Sequence, residues 1–185
     1  MNTIKQNAHM ITRLIITHIA MSVFGLVMFL ATNLQKPATI MLFTSIASFA
    51  FFCVLSYTTM WEFGAKDKPA YDAGRRTNAA KCGFLVSLTA EAFWIVLAIA
   101  YAIIAYFDIN IASIIYVVEI FTTCFSTGIH VFLTNEVLPK DSALTPLVIA
   151  GVYICSSLIV SLVNMFGYVL GTKDITIIPR KTAKK

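Results

Sequence analysis

Five long apolar runs dominate the chain, over residues 14–32, 39–60, 83–107, 109–133 and 146–171, and each holds 19 to 26 residues. At 1.5 Å of rise per residue, a helix of that length crosses a hydrocarbon layer of about 30 Å. None of the runs alternates strictly between apolar and polar residues as a barrel strand does. In lipid a helix also satisfies its own backbone hydrogen bonds. With 58% apolar and 12% charged residues, the composition lies far from that of a soluble domain. The expected fold is an all-α integral membrane protein, one membrane domain over residues 1–185, built as a bundle of about five transmembrane helices.

The polar stretches between the runs carry the basic residues. Trp61 to Cys82 holds Lys66, Lys68, Arg75, Arg76 and Lys81 against Glu62, Asp67 and Asp72, and residues 172–185 form a basic tail. The stretch 61–82 reads as a cytoplasmic loop suited to docking anionic lipid or a partner. Met1–Arg13 opens like a signal peptide, but the run behind it is longer than an h-region and no Ala-x-Ala site follows, so an uncleaved first helix is expected. With five crossings and the N-terminus inside, eight basic residues fall inside and six outside; with four crossings the division is twelve to two. Segment length thus favours five crossings, whereas the charge rule favours an even number. The run 109–133 is the most polar, with Glu119, Thr122, Thr123, Ser126, Thr127 and His130, and is the candidate for a re-entrant element. It follows the run 83–107 almost without a linker, which suggests a tight hairpin.

Four ionisable side chains fall inside the apolar runs: His18, Glu91, Glu119 and His130. A charge at the bilayer centre costs about 2.5 kcal/mol or more, so each calls for a partner, a proton or a water-filled cavity. Glu119 and His130 share a helical face, and an antiparallel hairpin would line up Glu91, Glu119 and His130 as a ladder, the arrangement an ion or proton path uses. The plainer alternative is a protonated carboxyl bonded to a neighbouring hydroxyl. His18, read as one turn inside its segment, is expected at the interface.

Small residues four apart mark the last run as a packing helix: Gly151 and Cys155, Ser157 and Ser161, Gly167 and Gly171. Asn164 on the same helix can donate across the interface. Two runs end alike, with Trp61, Phe63, Gly64, Lys66 and Asp67 after the second and Phe166, Tyr168, Gly171, Lys173 and Asp174 after the fifth. Both endings read as aromatic helix ends closed by a left-handed glycine. The Trp-x-x-Gly-x-Lys-Asp and Gly-Tyr-x-x-Gly-x-Lys-Asp motifs with the short basic tail resemble a loose group of small uncharacterised polytopic membrane proteins of Firmicutes-type bacteria. The resemblance implies a multi-pass protein of a bacterial plasma membrane and carries no activity.

Several chemistries have no support in the residues. The basic side chains are not interleaved with stacking aromatics, so nucleic acid is not an expected partner. There is no phosphate-cradling glycine loop, no His-Glu-x-x-His helix and no Gly-x-Ser-x-Gly elbow. Cys53, Cys82, Cys124 and Cys155 are dispersed, so no disulfide, metal site or cofactor is expected. The expected function is therefore not enzymatic. It is a transport component or accessory subunit with Glu91 and Glu119 lining a polar path, in contact with membrane lipids and another membrane protein or complex. The alternative is a non-catalytic interaction protein that binds through helix 146–171 and the stretch 61–82.

Overall fold

The computed structural model describes residues 7–33, 38–107, 124–137 and 144–176. These form α1 (Ala8–Asn33), α2 (Ala38–Asp72), α3 (Ala79–Tyr106), the short α4 (Cys124–Phe132) running into a π-helical turn (Leu133–Val137), and α5 (Thr145–Thr172). Among the described residues there is no strand. Helices α1, α2, α3 and α5 are each long and apolar enough to cross a membrane. Their outer faces carry exposed Ile16, Val23, Phe43, Phe93, Val96 and Leu162, while Ser22, Ser48, Ser87, Ser161 and Asn164 are buried. Apolar outside and polar inside suits a lipid solvent and not water. The chain is an all-helical, multi-pass membrane protein.

Helices α1 and α2 extend furthest beyond the expected apolar runs. The first begins at Ala8, because the hydroxyls of Thr12 and Thr17 turn back onto the carbonyls of Ala8 and Arg13 and satisfy themselves within the helix. The second has 35 residues, about 52 Å of helix, and so protrudes about 20 Å past the hydrocarbon layer. The stretch expected as a loop over 61–82 is therefore helical to Asp72 and again from Ala79. Pro69 is tolerated in its exposed last turns, where water can reach the carbonyl it leaves unbonded. The turn proper starts at Gly74, whose φ of 68° closes α2 in the left-handed region. Asn78 caps α3 by accepting the Lys81 backbone N–H.

Helices α2 and α5 run parallel and cross at glycines. A Cβ on Gly167 would lie 2.7 Å from the Tyr57 carbonyl oxygen, one on Gly171 2.2 Å from that of Trp61, and one on Gly64 2.2 Å from that of Tyr168. The two similar helix endings are thus the two sides of one crossing. Gly64 and Gly171 lie within their helices as contact points and do not act as stops. Lys68 and Asp174 meet at 3.5 Å just beyond it.

Helices α3 and α5 pack antiparallel, with Gly83 against Tyr168 near one end and Ala98 and Tyr101 against Ile149, Ala150 and Tyr153 near the other. The start of α1, the end of α2, the start of α3 and the end of α5 therefore share one end of the bundle. Every Lys and Arg of the described residues lies there: Arg13, Lys66, Lys68, Arg75, Arg76, Lys81 and Lys173. Asn7 and Thr176 are consequently at the same end of the bundle. Both Phe107 and Leu144 lie at the opposite end. There α4 packs mainly on α1 and α2, not along α3. The Gly128 N–H donates to Ser45 Oγ at 2.8 Å, and a Cβ at Gly128 would lie 2.2 Å from the Met41 carbonyl oxygen. Met41 is in the first turn of α2, so Gly128 sits near that end of the bundle; residues 109–123 of the run expected as a fifth helix lie outside the described residues.

Candidate functional site

Glu91 lies twelve residues into α3 and His18 ten residues into α1, about 18 and 15 Å from the respective helix starts. These depths bring the two side chains level near the middle of the bundle. His18 Nδ1 and Glu91 Oε1 are 3.2 Å apart, and the residues are 1% and 3% exposed. Trp94, one turn beyond Glu91 on the same face of α3, stacks on the imidazole with centroids 4.5 Å apart and planes at 19°. Phe52 of α2 meets the ring edge-on at 5.3 Å. Ser22 Oγ donates to the His18 carbonyl. Glu91 Oε2 and Trp94 Nε1 are buried and have no hydrogen-bond partner among the described residues.

The chemistry of such a pair is restricted by its surroundings. A lone carboxylate or imidazolium here would be uncompensated in hydrocarbon, whereas the pair can hold one proton between them at no net charge. The second carboxylate oxygen and the indole N–H remain as an acceptor and a donor not engaged among the described residues.

Buried hydroxyl and amide groups extend from the pair in both directions. Toward the basic end, one turn above Glu91, Asn164 Nδ2 donates to Ser87 Oγ at 2.8 Å across the α3–α5 interface. Ser161 Oγ and Asn164 Oδ1 are buried beside it without a partner among the described residues. Toward the opposite end, Ser45 and Ser48 of α2 and Ser126 and Thr127 of α4 are buried.

A second network closes the basic end. Tyr168 OH donates to Asp67 Oδ2 at 2.6 Å, and Arg76 Nη1 donates to the same carboxylate oxygen and, at 3.2 Å, to Tyr168 OH. Arg76 Nη2 donates to Asn7 Oδ1 at 3.4 Å, and Asn7 Nδ2 donates to Cys82 Sγ at 3.5 Å. Burial alone would pull the Arg76 pKa down. Asp67 and Tyr168 outweigh it, and the net shift is up, so the arginine stays charged at any physiological pH. Four helix ends are tied together by these bonds.

The expected site residues are placed as follows. Glu119 lies outside the described residues, as does the side chain of His130, so of the Glu91–Glu119–His130 ladder only Glu91 is placed. Its partner is His18, which is core and not interfacial, because α1 starts earlier than its apolar run and carries His18 almost three turns deep. Arg76, expected in lipid or partner docking, has its charge engaged by Asp67 within the bundle, and Lys68 pairs with Asp174. Lys66, Arg75 and Lys81 are exposed. Gly167, Gly171, Ser157 and Ser161 face inward, whereas Cys155 is exposed and a Cβ on Gly151 would meet nothing within 4 Å. The His18–Glu91 contact was not readable from spacing, since it joins residues 73 apart through the adjacency of α1 and α3. The need of each group for a partner was the one available signal.

No family model, no curated protein and no solved structure matches this chain.

Proposed function

We propose that this protein is a small membrane transport component in which Glu91 and His18 together carry a proton or bind a cation near mid-membrane. The observation that carries this role is the buried carboxylate whose one oxygen meets the imidazole while the other is left open beside an equally unpartnered indole N–H. A purely structural carboxyl is expected to have both oxygens engaged, because an orphaned polar atom in such a place costs about 1–3 kcal/mol. The buried hydroxyls on either side provide stepping points for a proton or a partly hydrated ion. In the proposed orientation the basic end faces the cytosol of a bacterial plasma membrane, as basic residues near short loops favour.

Purified full-length protein in vesicles with an entrapped pH-sensitive dye tests this role. An imposed potential should drive proton entry in the unaltered protein and not in Glu91→Gln, with both inserted equally. Equal flux through both proteins would refute it.

An interaction protein is the second role, favoured by the open outer face of α5 at Gly151 and Cys155, where a partner helix could approach closely. Oxidative cross-linking through Cys155 in native membranes would support it.

A further inference from the structure

Beside the basic-end network lies a cleft of about 250 Å³, bordered by Asn7, Tyr71, Arg76, Thr77, Lys81 and Leu85. Among the described residues no carboxylate lines its wall; Asp67, behind Arg76, engages that guanidinium and leaves Lys81 as the cation without an ion pair. Arg76 is held firmly, yet its three bonds use only three of a guanidinium's five N–H donors. Lys81 is exposed and has no ion-pair partner among the described residues. Asn7, Thr77 and Tyr71 supply neutral polar groups around these two cations.

The cleft also has a direction. Leu85, one turn below Lys81 on α3, is 38% exposed, and Ala92 and Val96 continue the same exposed face down the helix. A polar cavity with a cationic rim therefore sits at the head of an apolar stripe that faces the hydrocarbon. Its volume corresponds to roughly eight waters, enough for a phosphate with a small alcohol attached.

We infer that this cleft binds the phosphate headgroup of an anionic glycerophospholipid, with Lys81 supplying the counter-charge, Arg76 donating through the N–H groups its bonds to Asp67, Tyr168 and Asn7 leave over, and an acyl chain along Leu85, Ala92 and Val96. The site is separate from the His18–Glu91 pair and does not depend on the transport role. A soluble phosphate ester shares the headgroup's chemistry but would leave the apolar stripe below unused.

Native mass spectrometry of the full chain in a neutral detergent, with phosphatidylglycerol and phosphatidylcholine as probes, tests the inference. Phosphatidylglycerol should be retained in preference. Lys81→Gln should weaken its retention about five-fold, the worth of one basic contact to an anionic headgroup. Lys81→Arg should restore it, and Lys173→Gln, at the same end but outside the cleft, should leave it unchanged. Equal retention of the two lipids, or equal losses in Lys81→Gln and Lys173→Gln, would reduce the effect to general attraction and overturn the site. Displacement of the lipid by millimolar glycerol 1-phosphate would assign the cleft to a soluble ligand and overturn the lipid.

Discussion

Gly64 and Gly171 touch where α2 and α5 cross: a Cβ on Gly171 would lie 3.0 Å from the Gly64 Cα and still closer to the backbone of Trp61. No rotamer relieves a contact between a Cβ and backbone, so the helices must separate to admit one. Gly171→Ala should destabilise the bundle by about 1–3 kcal/mol, the usual cost of overpacking. Gly151→Ala, more than five turns away in open space, should change stability by less than about 0.5 kcal/mol. Unfolding in mixed micelles of increasing denaturing detergent measures both, and equal effects would show that the crossing is not tight.

The His18–Glu91 pair should be energetically coupled. Residues in direct contact show interaction energies of about 0.5–3 kcal/mol in a double-mutant cycle, whereas distant ones add. A cycle built from His18→Ala and Glu91→Gln should therefore be non-additive by about 1 kcal/mol or more. Simple additivity would mean that the two side chains are merely neighbours.

Cys82 reports on the clamp at the basic end. It is 9% exposed and sits beneath Tyr168 and Asn7. In a chain with Cys53, Cys124 and Cys155 replaced by alanine, Asp67→Asn removes the anion shared by Arg76 and Tyr168. Losing one charge-assisted bond of about 1.5 kcal/mol should raise the maleimide labelling rate of Cys82 about ten-fold. An unchanged rate would show that the network does not hold this end closed.

Both ends of the described chain should be labelled from one side of the membrane. Cysteines placed at Arg75 and Thr176 should react with an impermeant reagent from the same face, and one at the exposed Val137 from the other. Opposite labelling of Arg75 and Thr176 would require an odd number of crossings.

The apolar runs made four of the helices legible, because lipid imposes a minimum length that chance rarely meets. Their ends were not, since Ala8–Arg13 and Trp61–Asp72 look polar yet are helical: Thr12 and Thr17 bond their own helix, and Asp67 bonds Tyr168. The shared Trp-x-x-Gly and Tyr-x-x-Gly endings were visible as an echo, but only packing reveals that Gly64 and Gly171 meet. The charge rule carried topological information that segment length did not. The candidate site was half legible: Glu91 stood out as costly, while His18 was hidden because its depth depends on where α1 begins.

Helix α2 is a single rod that carries Met41 and Ser45 near one surface, Phe52 level with the imidazole, and Asp67 and Lys68 outside the other. Its last turns stand beyond the hydrocarbon and are anchored there by Asp67 on Tyr168 and Arg76 and by Lys68 on Asp174, so the helix that walls the imidazole in the core is fixed from the aqueous end.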